Sequence, residues 1–287
     1  GNMFPGASLV SWRNELMRTG LHIKMAVNGV LVETTNGIVF KPSDKVRPIN
    51  KFPHNKSEDV RGCVVIYQAP STEQDKIPED LYFIVHDPYA SDGYGTSLGA
   101  AYVIKRVNNF SKPDDMIVAS YIGRPESQDE YNYNLFLLAQ YFNARIGFEN
   151  DRGEVIPYAK RHRLLNYLLP EAELFDKTDG VRIRKLNRTY GCSMGSSHRK
   201  NQAEIYLRDW LRTPRGRKDD GDRKLNLHYI YDIALIDELI KYDTKGNFDR
   251  VSSLLVGMFH MKDLYNKDME ENYQESGESF WNRKFFQ

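Results

Sequence analysis

Leu81-Tyr82-Phe83-Ile84-Val85-His86-Asp87-Pro88 is an apolar run closed by a carboxylate and a proline. A run of this length and hydrophobicity suits a strand buried on both faces, and the proline ends it. Working outward, two more runs follow closely, Ala100 to Val107 and Met116 to Ile122. The gaps between the three are too short for crossover helices, so they are expected to pair as an antiparallel meander. Glu126 to Asn143 then carries Tyr131, Leu135, Leu138 and Phe142 at helical spacing, and Arg145 to Phe148 reads as a short fourth strand. The expectation is an α/β fold with a mixed sheet flanked by helices.

Upstream, Val27 to Val32 and Asn36 to Phe40 read as strands meeting at Asn-Gly turns, and Cys63 to Tyr67 as another strand. Residues 1–78 are therefore expected to form a β-rich connector or subdomain, without recognisable chemistry. Downstream, helices are expected at Tyr158 to Leu169, Arg199 to Arg212, Asp232 to Tyr242 and Asp249 to about Tyr265. Arg188 to Met194 reads as extended, and Arg215 to Lys224 as a loop crowded with both charges. The main domain is placed at 79–267, leaving 268–287 as an acidic and aromatic tail.

Composition narrows the function classes. The 287 residues are 40% hydrophobic and 28% charged, with a formal net charge of +1. Any nucleic-acid contact must then come from a local basic patch. Cys63 and Cys192 are too few and too far apart for a disulfide framework or a zinc site, which fits a reducing compartment. No apolar run is long enough to span a membrane, and no signal-peptide pattern opens the chain. Its start, Gly1-Asn2-Met3, reads as a tag remnant on a piece of a longer protein.

Three acids carry the chemistry. Asp87 closes one strand, Glu149 closes another, and Asp249 opens a helix. Two strand ends and a helix start can bring three carboxylates to one edge of a sheet. Hard oxygen ligands of this kind suit Mg²⁺ or Mn²⁺, and a pair of such ions suits hydrolysis of an anionic phosphodiester. Each residue also has a plainer reading, Asp87 and Glu149 as turn residues and Asp249 as an N-cap. Their order and surroundings carry the weight.

Meander, helix, fourth strand and further helices follow the ribonuclease H-like order, in which the fourth strand lies beside the first. Four segments also resemble the nuclease domain of a tailed-phage terminase large subunit, over roughly residues 60 to 265. They are Ile84-Val85-His86-Asp87-Pro88 with the glycine-bearing loop after it, Glu149-Asn150-Asp151-Arg152-Gly153, Tyr190-Gly191 followed by Arg199, and Glu238-Leu239 followed by Gly246 and Asp249. The resemblance implies a metal-dependent endonuclease cutting double-stranded DNA during genome packaging in the cytoplasm of a bacterial host. It implies Asp87, Glu149 and Asp249 as ligands of two ions, with Asp92 and Asp151 as candidates for an outer ligand. The partners it implies are a packaging ATPase domain, the portal and the small terminase subunit. Arg250 stands where that family often has a second aspartate, and the chain has no Gly-x-x-x-x-Gly-Lys-Ser/Thr motif for the ATPase.

Candidate DNA contacts are Arg199 and Lys200 at a helix start, and Arg215, Arg217 and Lys218 in the loop after it. Asp219, Asp220 and Asp222 dilute that loop, so a solvated mixed-charge loop stays open beside DNA contact. Two other functions also stay open. One is a ribonuclease H-like resolvase or integrase-type nuclease. The other is a non-catalytic docking or DNA-binding module of the packaging motor, with Arg250 marking a decayed site.

Overall fold

A computed structural model describes residues 3–90, 95–106, 115–172, 190–217, 221–243 and 246–281. Helices α1 (Gly6–Thr19) and α2 (Leu21–Met25) precede strands β1 (Val27–Thr34), β2 (Gly37–Pro42) and β3 (Cys63–Ile66). Next come β4 (Tyr82–Asp87), β5 (Gly99–Lys105), β6 (Met116–Gly123), α3 (Gln128–Phe142), β7 (Arg145–Phe148) and α4 (Val155–Arg161). The chain continues with α5 (Ser197–Arg212), β8 (Pro214–Arg217), β9 (Arg223–Leu225), α6 (Ile233–Lys241) and α7 (Asp249–Trp281). Among these residues no helix is long and apolar enough to cross a membrane.

Seven strands form one mixed sheet in the order β2-β1-β3-β6-β5-β4-β7. As expected, β4, β5 and β6 pair as an antiparallel meander, and β7 lies parallel to β4. The N-terminal strands continue this same sheet, because β3 pairs antiparallel with β6 and β1 bridges β3 to β2. All four residues of β3 are buried, and its ladder occupies backbone groups that β6 would otherwise leave at an open edge.

The continuous apolar run of β4 has the origin its sequence suggested. Phe83 and Val85 face a core built with α1, α5, α6 and α7, whereas Tyr82 and Ile84 face a second core under α3 and α4. This alternation is the two-residue period of a strand with both faces covered. Helix α7 lies flush on β4 at Gly257, where an added Cβ would come within 2.1 Å of Val85 Cγ1. Only glycine permits so close an approach, and the approach sets where the start of α7 falls.

Helices α1 and α2 stand in a stretch expected to be β-rich, and downstream of β7 three more elements differ from expectation. The helix expected from Tyr158 to Leu169 is the shorter α4 followed by a 3₁₀ turn at Leu165–Tyr167. Arg163, at φ 59°, adopts the left-handed conformation that ends helices. The charged loop after α5 is an antiparallel ribbon, with Pro214 opposite Leu225 and Arg217 opposite Arg223. Its strands are built mostly of charged residues, so no apolar alternation announces it. Finally, α7 runs through the segment assigned to the tail and reaches Trp281. That stretch is proline-free and rich in Glu, so helix propensity supports it where apolar periodicity fades.

Candidate functional site

Parallel pairing of β4 with β7 sets His86 opposite Phe148, so the next residues, Asp87 and Glu149, emerge side by side at one sheet edge. The Glu149 N–H donates to His86 O at 3.2 Å, which carries the ladder one step further. On the other flank of Glu149, the Cys192 N–H donates to Phe148 O at 2.7 Å, and the Asn150 N–H to Cys192 O at 3.0 Å. Gly191 makes this possible. Its φ is 75°, and a Cβ there would come within 2.7 Å of Phe148 O. Glu149 is thus held between β4 and the Tyr190-Gly191-Cys192 segment.

Asp249, the first residue of α7, arrives from the helical layer. Its Oδ2 accepts the Leu98 N–H at 2.7 Å and Asn247 Nδ2 at 3.4 Å. Leu98 immediately precedes β5, the strand whose Ala100 pairs with Asp87. The start of α7 is therefore tied to the strand beside Asp87. All three acids line one cleft of about 470 Å³.

Burial and mutual repulsion set these acids against their own charge. Asp87 is only 6% exposed, and its Oδ1 has no hydrogen-bond partner. Burial first, then the charges of Glu149 and Asp249, hold its carboxyl well above the usual carboxylate range. Burial likewise pushes Asp249 up to about 6, against the downward pull of the Leu98 N–H. Glu149 has the Arg152 guanidinium at 4.0 Å. Buried acids with an orphaned oxygen are costly unless a positive partner compensates them. The all-carboxylate donor set suits a hard divalent cation. The three groups line the walls of the cleft without converging on a point, and among the described residues no three acidic, histidine or cysteine side chains stand in metal-binding geometry.

The remaining predicted site residues fall in different places. Lys200 lines the cleft. Arg199, one residue earlier, donates to Ser193 O at 2.9 Å and is not part of the lining. Asp151 accepts Ser193 Oγ at 3.0 Å and the Met194 N–H at 3.2 Å, and so shapes the loop beside the cleft. Arg215 donates to Asp115 O and Asn226 Oδ1 and lies over the Tyr229 ring, anchoring the ribbon. Arg217 is exposed on β8. Asp92 and Lys218 lie outside the described residues.

Arg250, in the place of a second aspartate, is absent from the cleft lining. It is 3% exposed, donates to Glu238 Oε1 at 2.8 Å, and binds the carbonyls of Ile49 and Asn50. Glu238 in turn accepts the Arg250 and Val251 N–H groups, so it caps the first turn of α7. His86, which adjoins Asp87, is buried and held neutral, its pKa lowered by burial to about 4. Its Nδ1 lies 3.0 Å from Ala100 O, and its ring stacks on Tyr131, in keeping with a packing role.

Sequence reasoning missed three charged groups in the cleft wall: Arg152, Glu204 and Asp243. Glu204 is 2% exposed and accepts the Tyr242 hydroxyl at 2.7 Å. A signal for it existed, because Glu204 stands three and seven residues before Leu207 and Leu211, on the buried stripe of α5. An acid on an apolar stripe marks either a buried partner or a site. Compared with protein-family models and with curated proteins, the chain matches none.

Proposed function

We propose that the cleft is the active site of a divalent-cation-dependent endonuclease with a ribonuclease H-like fold. The observation that carries this reading is the meeting of Asp87, Glu149 and Asp249 in one cleft, from two adjacent parallel strand ends and a helix start. Together with the order of motifs along the chain, it supports the likeness to a terminase nuclease domain that cuts double-stranded DNA during packaging. A packaging ATPase domain, the portal, the small terminase subunit and the bacterial cytoplasm belong to the same reading.

Asp87, Glu149 and Asp249 would hold Mg²⁺ or Mn²⁺, and the orphaned Oδ1 of Asp87 fits that role. Such ions, when bound, supply Lewis acidity toward the phosphoryl oxygens and activate water. The protein supplies position: the Leu98 N–H fixes Asp249, and the paired strand ends fix the other two acids. Lys200 and Arg152 bring positive charge to the cleft wall, where a phosphate backbone needs it. Arg250 is buried against Glu238 outside the cleft lining, so its charge does not oppose a cation there.

The test is conversion of supercoiled plasmid to nicked and linear forms with Mn²⁺, Mg²⁺ or EDTA. Cleavage is expected with either metal and not with EDTA, falling at least about a hundredfold in Asp87→Asn, Glu149→Gln and Asp249→Asn. A folded protein that cuts with neither metal would overturn the proposal. A strong preference for four-way junctions over linear duplex would move it to the resolvase type.

A further inference from the structure

Cys192 and His260, two buried side chains outside the cleft lining, meet behind the carboxylates. Cys192 Sγ lies 3.1 Å from His260 Nε2, a hydrogen bond within the interior. Burial pushes the thiol up and lowers the imidazole to about 4, so both partners are neutral. Neither carries a charge to the site, but either one left alone in the interior would lose its polar contact.

His260 stands on the face of α7 that lies against the β4–β7 pair. Val85 and Gly147 form one rung of that parallel ladder. Gly257 of α7 sits on Val85, and His260, three residues on and so on the same helical face, sits on Gly147. The fit is reciprocal: a Cβ on Gly257 would come within 2.1 Å of Val85 Cγ1, and a Cβ on Gly147 within 2.4 Å of His260 Cδ2. Side chain meets glycine on both sides of the contact, so α7 cannot slide along the rung without a clash. Asp87 and Glu149 stand two residues beyond this rung, and Asp249 stands eight residues before Gly257. At about 1.5 Å per residue, that is about 12 Å of helix.

The thiol–imidazole bond adds a third element to this contact. Cys192 belongs to the Tyr190-Gly191-Cys192 segment, whose backbone flanks Glu149 through Phe148 O and the Asn150 N–H. His260 therefore touches the strand that delivers Glu149 and bonds the segment beside it, and it belongs to the helix that begins with Asp249. We propose that Cys192 and His260 are positioning residues for the cation site: their bond fixes α7 against the Glu149 strand and so sets the gap that bound cations bridge. The proposal rests on the reading of the three acids as a cation site. Without the bond the spacing of Glu149 and Asp249 is no longer fixed, and metal affinity falls about tenfold, as it does when the groups that hold metal ligands in place are removed.

Mn²⁺ affinity, read from the electron paramagnetic resonance signal of the free ion, tests this, with urea unfolding alongside to establish that each variant is folded. Cys192→Ala should weaken Mn²⁺ binding about tenfold, and Cys192→Ser, which keeps a hydroxyl to bond the imidazole, should recover most of the loss. His260→Leu should lose a similar factor. Cys192→Ala/His260→Leu should bind no more weakly than the worse single variant, because both substitutions remove one bond. A role in stability alone would lower the urea midpoints and leave the affinity of the folded protein unchanged. Unchanged affinity in Cys192→Ala, an equal loss in Cys192→Ser, or losses that multiply to about a hundredfold in the double variant would each overturn the positioning role. Should His260→Leu fail to fold, the comparison of Cys192→Ala with Cys192→Ser decides by itself. Wild type that binds no Mn²⁺ overturns the cation-site reading and the positioning role together, whereas binding shared equally by wild type and variants overturns the positioning role alone.

Discussion

Replacing Asp249 by asparagine is expected to stabilise the metal-free protein at the same time as it removes activity. Folding raises the Asp249 carboxyl from 3.8 to about 6, chiefly by burial. The folded protein therefore holds this proton more tightly than the unfolded chain, and stability falls as pH climbs from 4 through 6 before levelling off. At about 1.36 kcal/mol per pH unit, the difference amounts to about 3 kcal/mol at pH 8. The Leu98 N–H bond is already included, because it pulls in the opposite direction. Asparagine keeps an oxygen for that bond and carries no charge to bury. Urea unfolding in EDTA should then place the Asp249→Asn midpoint about 1 M above wild type at pH 8, for a slope of about 3 kcal/mol per molar. At pH 4 the two midpoints should nearly coincide. A variant no more stable than wild type at pH 8, or a difference that ignores pH, would refute the claim that Asp249 is held against its own charge.

Metal stabilisation should follow the same titration with the opposite slope. At a Mn²⁺ concentration a hundred times its Kd, unfolding free energy rises by about 2.7 kcal/mol at pH 8. The rise shrinks below about pH 6 as protons reclaim Asp249, and thermal melts with and without Mn²⁺ measure it. Arg250→Ala leaves the half-buried Glu238 without its cation and should cost about 3 kcal/mol in urea unfolding. Lys200→Ala should weaken DNA binding by a similar factor for all sequences and lower the salt-dependence slope by about one, read by fluorescence anisotropy across a salt series.

The parts of the fold that announce themselves are those whose local pattern and tertiary environment agree. The run from Leu81 to His86 is apolar at every position because β4 is covered on both faces, and the closing Asp87 marks the sheet edge. Short links made the meander legible, and with it the parallel pairing that sets Glu149 beside Asp87. Sheet membership of β1 to β3 was hidden, because nothing local in Cys63 to Ile66 specifies Ala119 to Ile122 as its partner. Helix α1 carries Leu9, Trp12 and Leu16 at helical spacing on an otherwise polar face, a readable stripe overshadowed by the strands after it.

The site divides along the same line. Acids at the ends of elements could be placed from element order alone. Lys200 could be named as a basic residue but not oriented, and its neighbour Arg199 turns instead to the carbonyl of Ser193. Arg215 looked available in a charged loop, yet the ribbon uses it against Asn226 and Tyr229. Glu204 required noticing an acid on the buried stripe of a helix. Arg250 required knowing that Glu238 and the carbonyls of Ile49 and Asn50 await it, which only the folded chain brings together.

A titration with Mn²⁺, followed by the electron paramagnetic resonance signal of the free ion, tests most directly whether the three carboxylates form a cation site. At pH 8 the wild type should bind about two ions per chain and deplete the free signal accordingly. Asp87→Asn and Asp249→Asn should restore most of it while remaining folded. Folded wild type that leaves the free signal at full height, or variants that bind as it does, would contradict the account.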